Sequence, residues 1–140
     1  MIRKFSAVLL VLFASGMFNF LHAAETKPVD KDPLAKFSDE NLANIGFCFD
    51  KFCAAVAAKD ATTAAAFIAE LPRELSKLDL SKDADKDRFL KTYASFSGAH
   101  AISSQRMAIG GLGEVKYTDK SGKENSQRMQ NMRGCWKLTF

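Results

Sequence analysis

The apolar residues of this chain change their spacing once, near Gly98, and no other feature narrows the choice of fold as much. Upstream of it, Leu42, Ile45, Phe49, Phe52 and Val56 recur at intervals of 3, 4, 3 and 4, which traces one continuous helix face. Ser38 stands where an N-cap is wanted, and Asp39 and Glu40 follow in the first turn, where the helix dipole favours acids. With Phe47, Phe49 and Phe52 so close together, this helix is expected to be the covered, central one. Asp60 is placed to cap a second helix with Ala64, Phe67, Ile68 and Leu71 facing inward until Pro72 interrupts it. Leu75, Leu78 and Leu80 extend it irregularly. The charged run 81–88 then leads into a third helix facing inward through Phe89, Leu90, Tyr93 and Phe96, with Gly98 as its stop.

Beyond Gly98 the period falls to two. Segment 99–109 is small and polar and alternates weakly, whereas in 112–118 Val115 and Tyr117 take one face and Glu114 and Lys116 the other. Asp119, Lys120, Ser121 and Gly122 form a turn, 123–132 returns as a polar strand, and Arg133-Gly134 turns again. The last segment alternates Trp136, Leu138 and Phe140 against Lys137 and Thr139. Helices first and an antiparallel meander of three to four strands afterwards predict an α+β fold. A terminal aromatic on an alternating strand also ends outer-membrane barrels, but such a barrel needs at least about eight strands of about ten residues. Here helices occupy more than half of the chain that follows the leader.

Residues 1–24 read as that leader, a secretory signal. Arg3 and Lys4 supply the positive start, Ala7 through Phe13 the apolar stretch, and Ala23 and Ala24 a small-residue cleavage site. A membrane span needs about 20 unbroken apolar residues, and Ser15, Gly16, Asn19 and His22 interrupt this one. Membrane contact is therefore expected only before cleavage, and the mature protein in the periplasm or secreted. The polar segment 25–37, with two prolines, reads as a flexible tether ahead of a single domain at 38–140. Of twenty Lys and Arg, two lie in the leader, leaving eighteen against sixteen acids and a charge of +2. That balance gives no nucleic-acid footprint. A composition 47% hydrophobic and 26% charged excludes a disordered chain.

An oxidising compartment gives Cys48, Cys53 and Cys135 two readings. Cys48 and Cys53 project about 140° apart on a helix and pair poorly, so a disulfide would join Cys135 to one of them. The alternative is three reduced, buried thiols acting as small hydrophobes. Metal binding is the weakest reading, because only His100 remains as an imidazole after the leader.

The junction Ala57-Ala58-Lys59-Asp60 and the ending Gly134-Cys135-Trp136-Lys137-Leu138 resemble small exported bacterial members of the nuclear-transport-factor-2-like superfamily. The resemblance covers 38–140. It implies a cone, with helices packed on a strongly curved antiparallel sheet, a pocket at the open end, and homodimers formed through the outer sheet face. Two features depart from the pattern: the weak strand at 99–109 and the small number of strands.

Enzymes of that superfamily carry protons on Asp or His lining the cone. Here the sheet offers only His100, Glu114 and Glu124. An isomerase- or dehydratase-type reading needs His100 in an apolar cavity beside an acid. A thiol-redox reading needs one accessible cysteine of lowered pKa. The run Asp83 to Asp87 lacks the Gly and Glu of a calcium loop, with Arg88 and Ala94 in their places. Gly110-Gly111-Leu112-Gly113 precedes no helix and reads as a hairpin turn or bulge rather than a phosphate cradle. No catalytic set, cofactor or metal site is specified. The expectation is a non-enzymatic binding domain, holding a small apolar ligand in the cone near Tyr117, Trp136 and His100 or a partner protein on the sheet. The polar second face of that sheet is assigned to Ser126, Gln127, Gln130 and Asn131.

Overall fold

The structure, a computed structural model, describes residues 32–140. The leader reading and the first part of the tether lie outside these residues. The packed domain begins before Ser38. Asp32 closes a turn by accepting the Leu34 N–H, Leu34 is buried, and the Phe37 ring meets Phe47 at 5.5 Å and Phe67 at 5.9 Å. Residues 32–37 are thus not a tether, because two of them reach the core.

Among the described residues, four helices precede the sheet: α1 (Asp39–Leu42), α2 (Ile45–Ala57), α3 (Ala61–Ala66) and α4 (Asp83–Thr92), followed by a short 3-10 turn at Ala94–Phe96. The expected opening helix is therefore two. Ser38 caps α1 through Asn41 N–H as its position suggests, but Asn44 adopts an extended conformation and caps α2 by accepting Phe47 N–H at 2.9 Å. The break at Ala43 leaves that residue's carbonyl without a helical partner, and the Trp136 indole N–H donates to it at 3.0 Å. A residue 93 positions away makes the interruption affordable in hydrogen bonds.

Helix α2 buries Ile45, Cys48, Phe49, Phe52, Cys53 and Val56. Its phenylalanines enter an aromatic cluster with Phe96 and Tyr117; Phe49 and Tyr117 lie 4.7 Å apart and Phe52 and Phe96 5.3 Å. Edge-to-face and tilted pairs of this kind add about 0.5–1.5 kcal/mol each to plain burial. Asp60 caps α3 as expected, accepting both the backbone N–H and the hydroxyl of Thr63. The helix stops at Ala66, well before Pro72, because the next residues turn to the sheet. Leu138 N–H donates to Phe67 O and Ala69 N–H donates to Leu138 O, both at 2.8 Å.

The sheet is an open antiparallel meander in the order β1-β2-β3-β4: β1 (His100–Arg106), β2 (Leu112–Thr118), β3 (Glu124–Met132) and β4 (Cys135–Leu138). The α+β architecture with a four-stranded sheet stands as the sequence implied. Gly113, Val115, Met129, Trp136 and Leu138 face the helices and are buried. No helix among the described residues is long and apolar enough to cross a membrane.

Candidate functional site

The side of the sheet away from the helices is an exposed polar surface. Strand pairing places Glu114 opposite Arg128, Lys116 opposite Ser126 and Leu112 opposite Gln130, and Gln105 lies across from Glu114 on the other side. Arg128, Lys116, Ser126, Gln130 and Gln105 are exposed. Ser126 and Gln130 thus occupy the outer face as expected. Gln127 and Asn131 do not, since a strand alternates and these two share the side of buried Met129. Both are half-buried and bonded inward or along the edge: Gln127 Nε2 donates to Thr139 O at 2.6 Å, and Asn131 Oδ1 accepts Gly134 N–H at 3.0 Å.

Strand β1 is the free edge. A bulge between Ala101 and Ser103 throws Ile102 out of the ladder, and Ile102 is 54% exposed. Helix α2 closes the start of this edge, where the Asp50 carboxylate accepts Ala101 N–H at 2.7 Å. Beyond it the side chains of 103–106 are all exposed. Ser103, Ser104, Gln105, Glu114 and Lys116 surround a depression of about 160 Å³. At the hairpin following β1, Met107 and Ile109 are exposed, Ile109 to 70%, and Met132 is exposed where Asn131 N–H bonds Gly111 O, joining the two hairpins. Ile102, Met107 and Ile109 on the edge strand and its following turn, and Met132 at the end of β3, are large apolar residues left exposed.

The predicted site residues are not brought together. His100 is exposed and its Nε2 lies 3.2 Å from the Thr118 hydroxyl, with no carboxylate bonded to it. That placement is not the apolar cavity beside an acid that the acid–base reading needs. Glu114 is on the outer face and Glu124 is exposed. Trp136 is 2% exposed and serves the core, while Tyr117 is half-buried against Phe49 and Phe96. The space a cone would leave between α2 and the sheet is filled by Phe49, Phe52, Phe96, Val115, Met129 and Trp136.

All three cysteines are free and buried, so neither disulfide pairing is formed and no thiol is accessible as the redox reading required. Cys48 and Cys135 lie 4.3 Å apart. Burial, and after it the neighbouring Asp50, pushes Cys53 up to about 12.

Sequence reasoning missed the β1 edge. Its signal was Ile102 and Ile109 standing in a segment otherwise small and polar, a pattern that fits neither face of a regular strand.

No family model and no curated protein sequence matches the chain. Among solved structures it is similar to a chain assigned as a calcium/calmodulin-dependent protein kinase II association domain from Xanthomonas campestris. Identity is 18%, with 64% of this chain and 76% of that one covered, at a TM-score of 0.31. A superposition at that level does not establish a shared fold.

Proposed function

We propose that this chain is a non-enzymatic binding domain that engages another protein chain through the β1 edge and the outer sheet face. The observation that carries it is Ile102, bulged from an edge strand and left in solvent, with Met107 and Ile109 exposed in the turn that follows that strand. An edge strand offers unpaired backbone groups to an incoming strand, and apolar side chains beside it supply the burial that makes such pairing stable. The packed interior favours this surface over a ligand pocket. A superfamily membership of nuclear-transport-factor-2-like type agrees with the α+β order and the Gly134-Cys135-Trp136-Lys137-Leu138 ending. Export belongs to the same proposal and is supported by the leader sequence alone; a mature mass beginning at Glu25 tests it.

A second copy of the chain is the partner to test first. Light scattering across a concentration series should give more than one protomer for the wild type. Ile102→Lys and Ile109→Lys should each shift the mass toward the monomer while leaving the circular dichroism spectrum and melting temperature in place. A wild type that stays monomeric at high concentration, and that captures the same proteins from envelope extract as both variants, removes this reading.

A further inference from the structure

We propose that Cys48 and Cys135 are a cross-linking site, joined as a structural disulfide when the chain folds in the presence of a disulfide donor, with Cys53 left as the free thiol. The proposal does not depend on what the sheet binds.

The fold itself makes the selection. Cys48 faces the side of α2 that meets the end of the sheet, where its thiol donates to Leu42 O at 3.2 Å, and Cys135 opens β4 immediately after the Arg133-Gly134 turn. They lie 4.3 Å apart. A disulfide requires the two sulfurs to approach to about 2.05 Å, and these two cysteines are near enough for side-chain movement to be the step that remains. Cys53 is five residues on and about 140° around the helix, and it is buried. It cannot compete without a rotation of α2.

The chemistry balances with a disulfide donor such as oxidised glutathione. One cysteine thiolate attacks a donor sulfur and releases one glutathione thiolate. The other cysteine then attacks the mixed disulfide and releases the second. The two cysteines lose two electrons and two protons, and the donor is reduced to two thiols. Both cysteines are shielded once folded, Cys48 completely and Cys135 to 7% exposure, so exchange is expected during folding, before β4 docks on α2.

The full chain, reduced and denatured, is refolded in a glutathione redox buffer, alkylated and digested with trypsin without reduction. Lys36, Lys51, Lys59, Arg133 and Lys137 place the three cysteines on separate peptides, 37–51, 52–59 and 134–137. The expected product is a linked pair of 37–51 and 134–137, with Cys53 alkylated. A link through 52–59, or three alkylated cysteines in correctly folded protein, overturns the proposal. Closing a loop of more than 80 residues should raise the melting temperature by roughly 10–20 °C over the reduced protein. Cys53→Ser must keep both the two-hydrogen mass deficit and that reduction-sensitive rise, whereas Cys135→Ser must lose both. If Cys135→Ser does not fold, the Cys53→Ser mass alone decides.

Discussion

Gly113 is the most closely hemmed-in glycine among the described residues, and replacing it by alanine tests how closely β2 is pressed by its neighbours. A methyl group there would sit 2.8 Å from Ile45 Cδ1, 3.0 Å from Trp136 Cζ3 and 3.1 Å from the Gln105 carbonyl oxygen. Carbon atoms in good contact stay about 3.5–4.0 Å apart, so each neighbour must retreat. The Ile45 terminal methyl can swing away. The Trp136 ring is held by its N–H bond to Ala43 O, and Gln105 O belongs to the paired strand β1. Overpacking of this kind costs about 1–3 kcal/mol, while Gly→Ala recovers about 0.4–1 kcal/mol by restricting the unfolded chain. Gly113→Ala should therefore destabilise by about 1–2 kcal/mol, or roughly 5–10 °C in melting temperature for a domain this size. Urea unfolding followed by Trp136 fluorescence measures it, since the chain has one tryptophan. Ile45→Val deletes the atom nearest the new methyl and costs about 0.5–1.5 kcal/mol by itself. In the double variant the two losses should sum to less than additivity by about 0.5–1 kcal/mol. If Gly113→Ala is as stable as the wild type, or more so, the close approach of Ile45, Trp136 and β1 to this backbone is wrong.

Two further perturbations test the helical layer. The Tyr93 hydroxyl is buried without a hydrogen-bond partner and burial raises its pKa, so Tyr93→Phe should leave stability unchanged or increase it by about 1 kcal/mol; a loss on thermal unfolding would mean that the hydroxyl has a partner. Asp60→Ala should cost about 1 kcal/mol by uncapping α3. Burial opposes ionisation of Asp60, but the Thr63 hydroxyl and N–H together with Lys36 and Lys86 outweigh it and hold the carboxyl below its ordinary 3.8. A group lowered on folding contributes stability above its unfolded pKa and loses it as pH falls through the folded value. Wild-type stability should thus decline below about pH 4, and the decline should be shallower in Asp60→Ala. It should not vanish, because Ser81 lowers Asp79 and Ser121 lowers Asp119 in the same way, and an unaltered acid limb would refute the assignment.

What the sequence determined by itself is the order and type of the elements. The interval of 3 and 4 that ends near Gly98 gave the helices, the two-residue alternation in 112–118 gave β2 to the residue, and Ser38 and Asp60 marked true caps because a cap is a contact within four residues. The tertiary structure decided everything that depends on a partner far along the chain. The break before Asn44 is stabilised by Trp136, α3 stops early because Phe67 and Ala69 bond β4, and the bulge at Ile102 lies where Asp50 claims the N–H of Ala101. The same holds for function. His100 looked available for chemistry because its spacing is blind to burial, and the edge that carries the proposed interface became visible only when Ile102 and Ile109 were left with nothing to cover them. Local hydrogen bonds and periodicity are written in neighbouring residues. Which surface stays open, and which two of three cysteines meet, follows from packing across more than 80 residues of chain.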